Sequence, residues 1–137
     1  MELEEFRKLD EVITQNQFHP LLDLFLVEKN NFKSLEQIEI LNILSEKYSK
    51  FYSNILNEEQ ENKIYQLLID LTDFGDLERM EIVTGILFNF QNNSFYNYLD
   101  RHKDTIIHIL VKKEVIKTLA DYRKDFNHFK EKDETCF

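Results

Sequence analysis

Asn62-Lys63-Ile64-Tyr65-Gln66-Leu67-Leu68-Ile69-Asp70-Leu71, then Thr72-Asp73-Phe74-Gly75-Asp76, then Leu77-Glu78-Arg79-Met80-Glu81-Ile82-Val83-Thr84-Gly85-Ile86-Leu87-Phe88-Asn89-Phe90 is the stretch that decides the fold. Ile64, Leu67, Leu68 and Leu71 recur at i, i+3, i+4, i+7, and Val83, Ile86, Leu87 and Phe90 repeat that spacing. Each set therefore falls on one face of a helix. Between them, Gly75 stands where a left-handed residue closes a helix, and Asp76 can cap the next one. The reading is two antiparallel neighbours with facing apolar stripes, against which the other helices lie.

Working outward, helical spacing continues in both directions. Residues 2–16 place Leu3, Phe6, Leu9 and Ile13 on one face. His19-Pro20 then opens a second helix, with the proline in the first turn, where its missing N–H costs nothing. The run Leu21-Leu22-Asp23-Leu24-Phe25-Leu26-Val27 is apolar almost all round and predicts burial on more than one side. Ser34 with Gln37 three residues on reads as a capping box for a third helix from about Leu35 to Tyr52. Its stripe is Leu41, Leu44, Tyr48, Phe51 and Ile55, with a second line at Ile40 and Ile43. Asn57 caps a fourth helix whose first turn holds Glu58, Glu59 and Glu61, which suit the helix dipole. Thr84-Gly85 offers a small-residue spot for close approach of another helix.

Toward the C-terminus, Ser94 caps a short sixth helix bearing Phe95, Tyr96, Tyr98 and Leu99. Asp104 can cap a seventh, whose stripe runs Ile106, Ile107, Leu110, Val115, Leu119, Tyr122, Phe126 and Phe129. Whether Lys112-Lys113-Glu114 bends it into two helices is open in the sequence. The charged tail, about 131–137, is expected to fray. The expected fold is all-α, a single domain over 1–137 with six or seven helices in antiparallel pairs. These pairs form a short HEAT-like array or, alternatively, a closed bundle. Composition agrees: 137 residues are 42% hydrophobic, with 2 Gly and 1 Pro, too few for the turns of a sheet protein.

The same composition bounds function. Two glycines leave no room for a P-loop or a dinucleotide fingerprint. The one cysteine, Cys136, can form no internal disulfide, lies in the tail and has no neighbours to activate it. Asp125 and His128 stand at i, i+3, but there is no Glu-x-x-His, so the carboxylate–histidine set of a di-iron bundle is missing. His108 within its apolar run and His19 before Pro20 read as core, boundary or turn residues. No catalytic residue, cofactor or metal is expected. The N-terminus Met1-Glu2-Leu3-Glu4-Glu5 is acidic where a signal peptide is basic, and the runs Leu24–Val27 and Ile106–Val111 are too short to span a bilayer. A soluble cytoplasmic protein is expected.

Net charge is −9, and it is uneven. Residues 1–100 carry 8 Lys/Arg against 19 Asp/Glu, a balance of −11, and residues 101–137 carry 9 against 7, a balance of +2. The basic positions Arg101, Lys103, Lys112, Lys113, Lys117, Arg123 and Lys124 alternate with acids and form no clean stripe, so nucleic acid is not expected as a partner. Asp70, Asp73, Asp76, Glu78 and Glu81 gather about the Gly75 turn with only Arg79 against them. They are either a solvated surface or a patch for a basic protein, with Tyr65, Tyr96 and Tyr98 as anchors.

The passage Ile64–Leu71 followed by Phe74-Gly75-Asp76-Leu77-Glu78 resembles a helical pair of HEAT-like immunity proteins from bacterial polymorphic and contact-dependent toxin systems. The resemblance covers the middle half of the chain. It implies a protein that binds a cognate toxin domain and blocks its active or docking surface, without catalytic residues of its own. Two other readings of the acidic helical chain stand beside it: a phage or mobile-element inhibitor that mimics nucleic-acid charge, and an adaptor subunit of a larger assembly.

Overall fold

The computed structural model describes residues 1–51 and 54–135, with side chains to Phe126. It is all-helical, with seven α-helices and no strand among the described residues: α1 (Leu3–Arg7), α2 (Gln15–Glu28), α3 (Ser34–Tyr48), α4 (Glu58–Leu71), α5 (Leu77–Phe90), α6 (Asn93–His102) and α7 (Ile109–Thr135). Single 3₁₀ turns, Lys29–Asn31 and Lys103–Thr105, follow α2 and α6. No helix among the described residues is long and apolar enough to cross a membrane.

Alternate helices pack side by side. Backbones approach most closely between α3 and α5, then α5 and α7, with α1 on α3; α2 meets α4, and α4 meets α6. The chain thus forms two layers, odd helices in one and even helices in the other. Neighbours within a layer run parallel. Ser45, late in α3, accepts a hydrogen bond from Asn89, late in α5, while Gln60, early in α4, bonds His19 and Asp23 of α2. Across the layers the sense reverses: Phe18 at the start of α2 meets Tyr48 at the end of α3. This is a stack of helical pairs. The expected intimate hairpin of α4 and α5 is corrected by it, since the closest neighbours of α5 are α3 and α7.

The core lies between the layers. Leu68, Leu71, Val83 and Leu87 are buried there, as the periodicity predicts, together with Phe18, Leu22, Phe25, Leu41, Leu44 and Phe95. Small polar side chains are buried on the odd helices, Ser45 on α3, Thr84 on α5 and Thr118 on α7, and two of them bond to the adjacent odd helix, Ser45 to Asn89 of α5 and Thr84 to Glu114 of α7. Gly85 is not one of them. It is exposed, and beyond its chain neighbours and its own helix backbone no heavy atom lies within 4 Å of where its Cβ would be. One residue along a helix is about 100° of rotation, so the buried small residue is its neighbour Thr84.

Several boundaries also differ from the sequence reading. The helix expected over 2–16 is interrupted: α1 ends at Arg7, and Thr14 opens α2 by accepting from Gln17 N–H while Gln17 Oε1 accepts from Thr14 N–H. Pro20 is therefore the sixth residue of α2, not a first-turn residue. The helix forgoes one backbone bond there, offset by the burial of Phe18, Leu22, Phe25 and Leu26 on the same helix. The opposite side of α2 is not buried, and Val27 is exposed. At α3 the reciprocal bond comes from Glu36, which accepts from Lys33 N–H, one residue earlier than the Ser34–Gln37 pair. Gln37 instead donates to Lys29 and Phe32 carbonyls. α3 stops at Tyr48, so Ile55 lies in the connection, and Tyr52 is outside the described residues. Asn57 and Asp76 cap α4 and α5 as expected. Gly75 does not take a left-handed backbone; the one positive φ among the described residues is 54° at Gln91. That bend ends α5 and hands the α6 cap to Asn92, whose Oδ1 accepts from Phe95 N–H, in place of Ser94. Finally, α7 passes through Lys112-Lys113-Glu114 as one helix, and its backbone continues past Lys130 to Thr135. His128 and Phe129 side chains and Cys136 lie outside the described residues.

Three stability outcomes follow. Gly85→Ala should raise the free energy of unfolding by up to about 1 kcal/mol, because an open helical site gains propensity with no clash. Leu87→Ala should lower it by about 2–5 kcal/mol through the cavity it leaves. Burial raises the phenols of Tyr48 and Tyr122 above their ordinary value of 10.0. The unfolded chain then ionises first, so stability should fall as pH climbs past about 10, and Tyr122→Phe should flatten that fall. Urea titrations at neutral and alkaline pH measure all three.

Candidate functional site

The stack places its connections at two ends. Links from an even helix to the next odd one, 72–76 between α4 and α5 and 103–108 between α6 and α7, emerge at the same end and meet. Their chemistry begins with how each is built.

In the first connection, Thr72 Oγ1 donates to Leu68 O at 2.7 Å and closes α4. Asp73 Oδ1 accepts from Gly75 N–H at 2.9 Å, and Asp76 N–H donates to Asp73 O at 3.1 Å, forming a tight turn. Asp76 Oδ1 then accepts from Arg79 N–H at 3.0 Å as the cap of α5. Arg79 folds back over the turn. Its Nη1 donates to Leu71 O at 3.3 Å, its Nε lies 3.9 Å from Asp76 Oδ2 without a hydrogen-bond partner, and the side chain is largely buried. The one cation of the turn is therefore spent on the carbonyl end of α4. Asp70, Asp73, Glu78 and Glu81 are exposed, and none is in an ion pair among the described residues.

The second connection turns on Lys103–Thr105, where Thr105 Oγ1 donates to His102 O and Lys103 Nζ pairs with Asp100 at 2.6 Å. Asp104 does not cap α7. His108 does: its Nδ1 accepts from Val111 N–H at 3.2 Å and its carbonyl from Lys112 N–H at 2.9 Å. Of the apolar run around it, Ile106 and Val111 are buried, but Ile107 is 93% exposed, Ile109 71% and Leu110 53%. The expected stripe through Ile107 and Leu110 is corrected accordingly. These three form an apolar shelf at the mouth of the turn.

Between the two connections lies a trough lined by Phe74, Gly75, Thr105, Ile106, Ile107 and His108. Phe74 is held by aromatic neighbours. His102 stacks on it at 6.4 Å, Tyr98 lies 4.3 Å from His102, and Phe95 stacks on Tyr98 at 5.8 Å. His102 Nδ1 is 2.7 Å from Tyr98 O, so that nitrogen carries the proton and donates.

The expected tyrosine anchors are thus structural. Tyr96 is buried and stacks on Tyr122 at 4.7 Å. Tyr98 is half-buried in the ladder under Phe74, and Tyr65 packs half-buried on the core. The large apolar side chains exposed at this end are Ile107, Ile109 and Leu110. One signal pointed to them: six consecutive positions, Ile106 to Val111, hold five apolar residues, more than one helical face can bury. Among the described residues no group of His, Cys, Asp and Glu could hold a metal ion. Comparison of the chain with protein-family models, curated proteins and solved structures found no match.

His108→Ala should cost α7 its cap and lower unfolding stability by about 1 kcal/mol, whereas His108→Asn, a good capping residue, should retain it. Denaturant titration of the two variants separates the cap from any other role of the ring.

Proposed function

We propose that this chain is a non-catalytic protein-binding module whose partner is a positively charged protein. Following the family resemblance, that partner is a toxin domain whose active or docking surface the module blocks. The observation that carries this reading is an exposed apolar shelf, Ile107, Ile109 and Leu110, at the end of the stack where Asp70, Asp73, Glu78 and Glu81 are exposed and in no ion pair among the described residues. Apolar patches rimmed by charge mark interaction surfaces. The acids raise the rate at which a basic surface arrives, and the apolar groups give it area to bury. An adaptor subunit of a larger assembly is the second reading that the shelf supports; salt separates the two, because only a basic partner is steered.

Asp73 serves the turn and Asp76 caps a helix, so neither tests charge alone. Asp70 and Glu81 are exposed without such a bond from their side chains. The variant Asp70→Lys with Glu81→Lys should keep its helicity and should associate about tenfold or more slowly with the partner captured from source cells. Added salt should narrow the gap between wild type and variant. Equal association rates at low and high salt would remove the basic partner and leave the adaptor reading.

A further inference from the structure

In sequence the cations of α7 alternate with acids, but the winding of the helix separates them. At about 100° per residue, Glu114, Asp121 and Asp125 fall within an arc of about 40°. That arc faces α5, where Thr84 Oγ1 lies 3.5 Å from Glu114 Oε1. Val111, Val115, Leu119 and Tyr122 turn to the core. The remaining side, an arc of about 140°, carries Lys112, Lys113, Lys117, Arg123 and Lys124. Ile109, Ile116 and Ala120 run exposed along its middle, and within residues 109–126 it holds no acid. Arg123 lies 3.9 Å from Asp100 of α6, while the four lysines are in no ion pair among the described residues. α7 is the last helix of the odd layer, so this basic side is an outer edge of the stack.

The other end of the stack is acidic. Residues 1–28 hold seven Asp/Glu against Arg7 and Lys8, and Arg7 is taken by Glu4 and Glu39. Counting on through Lys29 and Lys33 sets seven acids against four cations, a balance of −3. α2 itself contains no Lys or Arg. Its His19 and Asp23 turn toward α4 through Gln60, which leaves Leu24 and Val27 exposed elsewhere on the helix. We propose that a second copy of this chain covers the α7 edge, seating its α1–α2 end there and continuing the stack head to tail. Charge complementarity selects this occupant: each edge keeps exposed aliphatic groups, and the fixed charges around them are opposite. Pairing α7 with α7 would set lysine against lysine, and pairing the two α1–α2 ends would set acid against acid. The net charge of −9 acts over a longer range and is screened at physiological salt beyond about 8 Å, whereas pairs in contact persist. Contact between unlike ends is heterologous, so each added copy presents the same free edges again.

Sedimentation velocity of the full protein, from low micromolar to near-millimolar concentration, tests this. The expected result is a sedimentation coefficient that climbs past the dimer with concentration and that high salt lowers. Lys113→Glu with Ile116→Glu blocks the α7 edge, and Leu24→Lys with Val27→Lys blocks the α1–α2 edge. Each variant alone should need about tenfold or more protein to associate. Mixed, they should form a one-to-one dimer and stop, because each retains the edge that the other lacks. Lys113→Glu with Lys117→Glu, at two exposed positions where folding is not at stake, should act as the first variant does. Ile82→Ser, on α5 in the middle of the layer, should sediment as wild type. A wild type that stays monomeric throughout, association that salt strengthens, or blocked variants that associate as wild type overturn the assignment. So does a mixture that forms no dimer, because the contact is then not between unlike ends.

Discussion

The close seating of α5 between α3 and α7 is the constraint on which the rest of the structure depends. Helices approach closely only where side chains are small, and here the small residues carry hydroxyls that must be satisfied once buried. The helices satisfy them internally. Ser45 Oγ donates to Asn42 O at 2.8 Å, and Thr84 Oγ1 donates to Met80 O at 2.8 Å. Ser45 Oγ then accepts from Asn89 and ties α3 to α5. Both bonds run to the carbonyl of the preceding turn, so they cost the helix little and leave no orphan donor between the layers. With the odd layer held tightly, the bulky residues are left to the space between layers. There Phe18, Tyr48, Phe90 and Phe95 fill volume that serine and threonine would leave empty.

The candidate site is a consequence of that seating. In a stack with parallel neighbours within each layer, every even-to-odd connection must emerge at one end. Successive ones are spaced by a single helix-to-helix step. Residues 72–76 and 103–108 are such a pair, which is why Phe74 finds His102 and why a trough opens between Gly75 and Ile107 although 32 positions separate them. No local feature of either loop specifies the meeting. The layers do.

This explains what was legible in the residues and what was not. Stripes such as Ile64, Leu67, Leu68 and Leu71 can be read because burial on one face leaves a period in the sequence. Caps can be read where one polar residue stands alone before a stripe, as Asn57 and Asp76 do. They are ambiguous where several compete. In Gln91-Asn92-Asn93-Ser94 the left-handed bend at Gln91 decides for Asn92, and nothing short of the tertiary path fixes that bend. Around Pro20, the preference of proline for a first turn argues against Thr14 and Gln17 as the opening pair. Burial of Phe18, two residues before Pro20, goes with the earlier opening. The acids of the site could be named from sequence because carboxylates at such density stay in water. The apolar shelf could not be assigned from periodicity alone. Ile106 and Ile107 are chemically alike, and only the packing of α6, the 3₁₀ turn and α7 buries the first and exposes the second.

Arg79 shows how structural and functional demands meet at one side chain. The carbonyl end of α4 carries partial negative charge and needs a donor, and Gly75 does not supply a left-handed closure. Arg79 answers that need by reaching Leu71 O, and Asp76 fixes its backbone at the start of α5. The same geometry draws the one cation of the turn inward, and Asp70, Asp73, Glu78 and Glu81 stay exposed and outside any ion pair among the described residues. Closing the turn with an arginine thus leaves acids on its exterior without any added acid.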